Sequence, residues 1–287
     1  MKEFVFIVDK ELNNIKAKDF LLYKKLSNEI IAKIKFGGVF VNGKVLTNIN
    51  ERVKAFDEIQ IKLPKDEVNP FIEKVNGNLQ VLYEDEYFLA VFKESGVLTH
   101  SSKSNQATSL EQLVLGYINA PFTFRAINRL DKDTSGIVLI ALDMVSACFL
   151  NQQMKERLIK KSYYAVVKGE VKENHFFIEK PIKRQDENSM KRVCDDSGQY
   201  AKTECKIIKK LADGNTLLEV TLHTGRTHQI RVHLASIGYP LYADQLYGEK
   251  VDGKKYFLCA KKIEFTHPFS NEKIEISVED KIIQKLK

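Results

Sequence analysis

The sequence predicts an α+β fold built from a small N-terminal unit and a larger C-terminal one. The chain has 287 residues, which exceeds a typical single domain. Segments with strand and helix patterns follow one another without the regular alternation of a doubly wound sheet. A polar stretch at residues 64–78 has two prolines and no apolar period, which predicts a linker. We therefore expect one domain at residues 1–63 and a second at residues 79–287.

The N-terminal unit has the pattern of two helices combined with a small sheet. Helices are predicted at residues 17–25 and 27–36, and Ser27 suits the N-cap of the second. An Asn-Gly pair at residues 42–43 predicts a hairpin turn. Strands are predicted at residues 3–8, 39–41, 44–46 and 57–62.

The C-terminal unit carries longer strands and separate helices. Helices are predicted at residues 109–117 and 145–158. Residues 181–200 are polar and indicate a surface loop or hairpin. Strands are predicted at residues 79–83, 87–93, 137–142, 161–169, 202–208, 216–223 and 257–265.

Charge favours a polyanionic partner. The net charge is +7 with a pI near 9.0, which suits nucleic acid without proving it. Residues 1–65 hold 13 Lys and Arg against 8 Asp and Glu, a net of +5, so most of the excess lies there.

Composition also excludes several classes of protein. No apolar run approaches the roughly 18 to 20 residues that span a bilayer, and the early acidic residues do not suit a signal peptide. The four cysteines are 46, 11 and 54 positions apart and form no C-x-x-C. This spacing argues against zinc and for a reducing compartment. We expect a cytoplasmic protein that does not bind membranes.

The first motif is Asn-Arg-Leu-Asp-Lys-Asp-Thr-Ser-Gly at residues 128–136, followed by six apolar residues that predict a buried strand. Asp, Thr and Ser side chains in the turn can bond nearby backbone groups. The pattern holds Arg129 and Asp131 at the mouth of a core strand. Taken alone, the stretch favours a simpler interpretation, in which Asp131 and Asp133 are turn formers and Arg129 is a surface charge.

The second motif, His-Thr-Gly-Arg-Thr-His-Gln-Ile-Arg-Val-His at residues 223–233, predicts a tight turn followed by a helix. Thr227 suits its N-cap, and Gly238 suits the position just past its end. Arg226 and Arg231 are then available to meet a carboxylate. Arginine supplies only 8 of the 45 basic residues, yet half of the arginines lie in or beside the two motifs, which suggests contacts that lysine could not make. They are Arg125, Arg129, Arg226 and Arg231.

The two motifs together resemble the RluA-type pseudouridine synthases, in the family's order and about 95 residues apart. Residues 161–169 are similar to the family's Lys-x-Tyr-x-Ala-x-Val-x-Gly strand. Residues 37–44 resemble an S-four-type RNA-binding module, which often precedes the catalytic domain in this family. The resemblance implies a mixed, mostly antiparallel catalytic sheet. Departures from the family pattern are Glu94, Asn128, Tyr242, Ala243 and Cys259.

The resemblance implies that the chain isomerises uridine to pseudouridine without a cofactor or metal. It assigns Asp131 as the catalytic carboxylate, Arg231 as its guanidinium partner and Arg129 as the residue that helps fill the space left by the displaced base. Tyr163 matches the family's active-site tyrosine. Because neighbouring strand residues point to opposite faces, Tyr163 and Tyr164 cannot both face the site.

Histidines invite a metal interpretation, which we reject. His228 and His233 are five residues apart and do not share a helix face, and no carboxylate or cysteine completes a ligand set. We expect them to be structural hydrogen-bonding groups. Asp244 could line the site or form a turn, and we favour the turn.

For the substrate we expect structured RNA, with 23S rRNA of the large subunit favoured over tRNA. An RNA-binding assembly factor with dispensable catalysis is the alternative from another class, but a pure binder has no need of the acid Asp131. We expect a monomer. Basic side chains predicted to meet RNA, or else to form a solvated face, are Lys16, Lys18, Lys33, Lys35, Arg129 and Arg226. Those at residues 183, 184, 191 and 192 could face RNA or be flexible surface charge.

Overall fold

The computed structural model describes residues 2–102, 107–187 and 189–278. Parts of the predicted ranges lie outside the described residues: residue 1, residues 103–106, residue 188 of the predicted 181–200 segment, and residues 279–287. No helix in the described part combines the length and apolar character needed to cross a membrane.

The N-terminal unit has a four-stranded sheet in the order β1-β6-β3-β4, with two short helices against it. Ser27 caps the second helix by accepting a hydrogen bond from the Ile30 amide at 3.3 Å. Asn42 and Gly43 both have positive φ, as a tight hairpin turn requires. The elements are β1 (Glu3–Ile7), β2 (Ile15–Lys16), α1 (Ala17–Tyr23), α2 (Asn28–Ile34), β3 (Val39–Val41), β4 (Lys44–Val45), β5 (Arg52–Val53) and β6 (Glu58–Lys62).

The C-terminal unit is built on a nine-stranded sheet in the order β11-β14-β15-β10-β16-β9-β8-β7, with β17 added to β16. Its pairings are antiparallel except for β9 with β16, so the predicted mixed, mostly antiparallel α+β class is confirmed. The elements are β7 (Gln80–Glu84), β8 (Phe88–Lys93), α3 (Leu110–Ile118), β9 (Ser135–Ala141), α4 (Met144–Lys155), β10 (Lys160–Val167), β11 (His175–Glu179), β12 (Ile182–Arg184), β13 (Arg192–Cys194), β14 (Lys202–Lys210), β15 (Thr216–Leu222), α5 (Gln229–Ser236), β16 (Leu258–Thr266) and β17 (Lys273–Ser277).

The large sheet separates two hydrophobic cores, and the strand alternation decides which side chain enters which. Tyr163 joins the core that contains α3 and α5, whereas Tyr164 joins the core that contains α4. Burial of apolar side chains at about 25 cal/mol per Å² makes these two faces the main source of stability. The functional helix α5 therefore lies on the Tyr163 side of the sheet.

The parallel pairing of β9 with β16 explains the glycine that ends the first motif. Gly136 has φ +119°, and a Cβ there would lie 2.4 Å from the backbone nitrogen and oxygen of Ala260. Only glycine lets the two strands approach this closely. The close approach fixes the point at which the motif loop enters strand β9.

The N-terminal unit contacts the C-terminal unit through α4 and the loop after β16. The ring centre of Phe4 lies 5.3 Å from that of Phe269, and Val145 of α4 belongs to the core of the N-terminal unit. The Lys2 ammonium lies 2.9 Å from a carboxylate oxygen of Asp143. In this structure the N-terminal unit is docked on the C-terminal one, while the predicted division into two domains stays a prediction.

Residues 64–78 have no regular secondary structure and are mostly exposed, but hydrogen bonds attach them to the C-terminal unit. The amide of Val75 donates to the Gln112 carbonyl of α3 at 3.1 Å. Asp66 holds Arg125, whose Nη1 lies 2.8 Å from Asp66 Oδ2. Arg125, one of the arginines beside the motifs, is therefore held in an ion pair with Asp66, a residue of this segment.

Candidate active site

The first motif forms a rigid loop because its neighbours satisfy its backbone. Asn128 is buried, donates to the Ile137 carbonyl at 2.9 Å and accepts from the Leu139 amide at 2.8 Å. The Thr99 hydroxyl donates to the Leu130 carbonyl at 2.9 Å. These bonds hold the backbone on both sides of the loop. The family usually has histidine at position 128. In this chain the Asn128 side chain takes that place and hydrogen-bonds to the backbone of both Ile137 and Leu139.

A buried lysine also clamps the backbone of this loop through three hydrogen bonds. Lys93 is 1% exposed, and its ammonium donates to the carbonyls of Glu94, Val97 and Lys132 at 3.0, 2.7 and 3.0 Å. Lys132 follows Asp131 directly, so the clamp fixes the backbone next to the predicted catalytic carboxylate. Burial lowers the pKa of Lys93 to about 8, against the opposing charges of Asp133 and Asp131.

The second motif starts its helix one residue later than predicted. The N-cap is His228, in the left-handed region with φ 57°, and it makes no side-chain cap bond, so the predicted Thr227 cap is wrong. Gln229 takes over the local pairing: its amide oxygen accepts from the Arg226 amide at 2.9 Å, and its amide nitrogen donates to the Lys202 carbonyl at 3.0 Å. This tie fixes the direction in which α5 enters the site.

Arg231 on α5 contacts two carboxylates, one more strongly than the other. Its Nε and Nη2 donate to Asp244 at 2.7 and 2.8 Å, and its Nη1 donates to Asp131 Oδ2 at 3.2 Å. The Asp244 side chain is fully buried, whereas that of Asp131 is 29% exposed. Asp244 therefore anchors the guanidinium through a bidentate pair. Asp131 keeps a weaker contact and faces the solvent side.

Aromatic rings complete the environment of Arg231. The guanidinium carbon lies 5.1 Å from the centre of the Tyr247 ring and 4.6 Å from that of Tyr256. Burial lowers the pKa of Arg231, but the hydrogen bonds and charge of Asp244, together with the charge of Asp131, outweigh it and raise the pKa above its ordinary value. The group is thus a fixed positive charge at any working pH.

Asp244 is the main correction at this site. We favoured a turn former, and it does accept from the amides of Leu246 and Tyr247 at 3.0 and 3.3 Å. It is also the bidentate partner of Arg231, which makes it part of the site. The sequence offered no local signal for this, because the two residues are 13 positions apart and joined only by the fold.

A cleft of about 1130 Å³ opens over these groups. Arg129, Asp131, Tyr163, Arg226 and Arg231 all line it, so the structure brings the predicted catalytic residues together. Arg129 is exposed at the rim, whereas Tyr163 is 6% exposed on the floor. Burial and the Asp131 charge raise the pKa of Tyr163 above its ordinary value, so it offers a neutral hydroxyl and an aromatic ring.

The histidines act as hydrogen-bonding groups, as predicted. His233 is buried and contacts Thr203 Oγ1 at 2.8 Å and the Lys180 carbonyl at 2.9 Å. His228 Nδ1 lies 2.9 Å from the Tyr247 hydroxyl, and its Nε2 lies 3.7 Å from Asp131 Oδ2, beyond hydrogen-bond distance. Within the described residues, no group of His, Cys, Asp or Glu is arranged to hold a metal ion.

The predicted RNA-binding lysines lie away from the cleft, in the N-terminal unit. Lys16 and Lys33 are exposed, and Lys18 and Lys35 are half-buried. Lys33 is 3.3 Å from Glu29, so part of its charge is compensated within the unit. The structure places these side chains on a different unit from Asp131, and their role stays a prediction.

The part of the chain that carries this site is similar to known proteins. Residues 87–236, which carry both motifs, match the RNA pseudouridylate synthase family. Ribosomal large subunit pseudouridine synthase D of Buchnera aphidicola subsp. Schizaphis graminum is 34% identical, over 94% of this chain and 90% of that protein. An uncharacterized RNA pseudouridine synthase of Bacillus subtilis, YhcT, is 35% identical, over 82% of this chain and 78% of its own.

A solved structure shows the same architecture. Human RNA pseudouridylate synthase domain containing 1 superposes with a TM-score of 0.62 at 25% identity, covering 73% of this chain and 86% of that one.

Proposed function

This chain belongs to the RNA pseudouridylate synthase family and is an RNA pseudouridine synthase of the RluA type, and we propose that it modifies 23S rRNA with Asp131 as its nucleophile. The observation that carries the proposal is the 3.2 Å contact between Arg231 Nη1 and Asp131 Oδ2 inside the cleft. It pairs the motif carboxylate with a permanent positive charge at the point where a base could enter.

The division of labour around Arg231 supports a nucleophilic role for Asp131. The reaction breaks the bond between uracil and ribose and rejoins the base through carbon 5, so it needs a group that attacks and later leaves. Asp244 is fully buried and takes two hydrogen bonds of the guanidinium, so it positions the charge without reaching the substrate. Asp131 takes only one, and its exposed oxygen lone pairs stay available for attack.

Tyr163 and Arg129 fit the handling of a displaced base. A base that leaves its stack costs a few kcal/mol, which the enzyme must offset with new contacts. The ring of Tyr163 on the cleft floor offers a stacking surface next to Asp131, and its neutral hydroxyl can donate a hydrogen bond. Arg129, exposed at the rim two residues before Asp131, is placed to occupy the vacated space in the RNA.

The choice of 23S rRNA rests on similarity and charge. A relative that is 34% identical over 94% of this chain is named for the large ribosomal subunit. The N-terminal unit carries most of the net positive charge of the sequence, which suits a second contact with a large folded RNA. We propose that Lys16, Lys18, Lys33 and Lys35 make that contact.

Tritium release tests the proposal on defined RNAs. Transcripts of 23S rRNA and of tRNA, each labelled with tritium at carbon 5 of uridine, are incubated with the full chain, because the isomerisation frees that hydrogen. We expect release from 23S rRNA. Release from tRNA alone would overturn the choice of substrate, and binding without release from either RNA, or from ribosomal subunits, would favour an assembly factor.

The cellular setting belongs to the same proposal. The cysteines at positions 148, 194, 205 and 259 form no disulfide in the described part of the chain, which supports action in a reducing cytoplasm. The expected monomeric state stays a prediction.

A further inference from the structure

A second cavity lies beside the active-site cleft. Its volume is about 450 Å³, and it lies between the β12–β13 hairpin and the turn at residues 225–227, open to solvent on one side. The same turn lines the active-site cleft, so the two cavities meet at it. Four of the side chains that line the second cavity are basic: Lys183, Arg184, Arg192 and Arg226.

Three of these cations are arginines without a carboxylate partner among the described residues. Arg184 and Arg192 face each other directly across the hairpin, and like charges in that position repel. Arg184 Nη1 donates to the Glu187 carbonyl at 3.0 Å. Arg192 Nη1 is buried with no hydrogen-bond partner in the described structure. Lys183 differs, since Asp195 lies 2.8 Å from its ammonium.

Arg226 extends the unpaired charge toward the active site. Its Nε donates to the Tyr200 carbonyl at 3.1 Å, and its Nη1 donates to the Gln199 side chain at 2.9 Å, so neutral groups orient it. A buried guanidinium group that lacks an acceptor is costly. The cavity therefore combines two arginines that neutral groups orient, Arg184 and Arg226, with a third, Arg192, whose buried Nη1 lacks an acceptor.

The hairpin that carries the arginines is anchored, which argues against flexible surface charge. Ile182 packs with Ala201 and with Val232 of α5. The Arg192 amide donates to the Tyr247 hydroxyl at 2.8 Å, and that hydroxyl also contacts His228. The hairpin is thus fixed to the helix that carries Arg231.

We propose that this cavity, which we call the arginine cavity, binds a backbone phosphate of the RNA substrate on the strand that flanks the target uridine. Phosphate offers several acceptor oxygens, and guanidinium groups meet them in bidentate fashion. Three of only eight arginines in a lysine-rich chain line this one cavity. The shared turn at residues 225–227 places the bound phosphate next to the nucleotide that enters the cleft.

The proposal rests on the proposed function, and it predicts an effect on binding rather than on chemistry. Asp131 and Arg231 do not touch Arg184 or Arg192 in the described structure. The double variant Arg184→Gln/Arg192→Gln should raise the KM for RNA about tenfold with kcat within about twofold. In salt titrations, the slope of log affinity against log salt should fall by about 0.7 to 0.9, the value for one phosphate.

The test uses full-length protein and fluorescence anisotropy with a labelled fragment of whichever RNA the wild type modifies, plus tritium release for kcat and KM. Binding is measured in the Asp131→Asn background so that no product forms. The matched control is Lys206→Gln/Lys209→Gln, which removes two exposed charges from β14. It should leave KM and the salt slope near their wild-type values.

Folding is checked separately. Without RNA, Arg184→Gln should leave Tm unchanged or raise it slightly, because it relieves the repulsion between Arg184 and Arg192. Arg184→Lys/Arg192→Lys should keep most of the salt slope. If Arg184→Gln/Arg192→Gln binds and reacts like Lys206→Gln/Lys209→Gln while both are folded, the arginine cavity does not bind RNA. If instead the wild type makes no pseudouridine in any RNA tested, the proposed function fails, and the anisotropy comparison, then run on the 23S rRNA fragment, still decides the binding claim.

Discussion

Replacement of Asp244 by asparagine should destabilise the protein because it leaves Arg231 buried without its main countercharge. The Asp244 side chain has no exposed surface and accepts two hydrogen bonds from the guanidinium, at 2.7 and 2.8 Å. Removing one partner of a buried ion pair costs about 3 to 5 kcal/mol. Asparagine keeps the volume and one acceptor, and Asp131 still contacts Arg231, so we expect about 3 kcal/mol.

The assay is equilibrium unfolding in urea, together with thermal melting. A loss of about 3 kcal/mol corresponds to a Tm lower by about 5 °C for a chain of this size. Asp133→Asn is the control, because Asp133 pairs with Lys255 at 3.0 Å with side chains 35% and 58% exposed, and such surface pairs contribute about 1 kcal/mol or less.

A double variant separates the lost countercharge from lost packing. Arg231→Met/Asp244→Leu removes both charges, so it should recover part of the stability that Asp244→Asn loses while remaining inactive. If Asp244→Asn melts with the wild type, or no lower than Asp133→Asn, then Asp244 does not anchor Arg231 in the way its geometry indicates.

Three further predictions concern the sheet and the loop. Unfolded Lys93 holds its proton up to an ordinary pKa of 10.5 and the folded residue only to about 8, so the unfolded chain binds more protons between these values. The free energy of unfolding should therefore rise with pH across that window, and Lys93→Met should abolish this rise. Urea titrations of both proteins at a series of pH values measure the difference. Gly136→Ala should cost at least about 3 kcal/mol or prevent folding, because its Cβ would lie 2.4 Å from a neighbouring backbone, whereas Gly225→Ala, with 3.6 Å to its nearest atom, should melt near the wild type. Tyr163→Phe should lower kcat with little change in Tm, and Tyr164→Phe, on the opposite face, should leave the rate of tritium release unchanged; equal rates for the two would show that the hydroxyl in the cleft has no part in the reaction.

Local patterns in the sequence were enough to place the elements that carry the site. Five of the six apolar residues after Gly136 lie in the buried strand β9, and period-two alternation separates Tyr163 from Tyr164. The Asn-Gly pair at residues 42–43 forms the expected hairpin turn with positive φ at both positions. These features depend on short-range sterics and burial, which neighbouring residues determine.

Features that depend on contacts between distant segments were not predictable in the same way. Asp244 meets Arg231 only because the chain returns to α5 after a turn, and Lys93 meets the carbonyl of Lys132 from 39 positions away. The arginine cavity needs a hairpin and a turn that are about 40 residues apart. The N-cap of α5 is His228 rather than the predicted Thr227, and its left-handed backbone, with φ 57°, has no local signal in the sequence.

Tritium release by Asp131→Asn tests the central claim most directly. The wild type, Asp131→Asn and Asp133→Asn are compared under single-turnover conditions on the RNA that the wild type modifies, with RNA affinity measured alongside. We expect Asp131→Asn to bind RNA within about threefold of the wild type and to release tritium more than about 10³-fold more slowly, the scale of loss when a nucleophile is removed. Asp133→Asn should react near the wild-type rate. Release by Asp131→Asn at the rate of Asp133→Asn would contradict the assignment of Asp131 as the nucleophile.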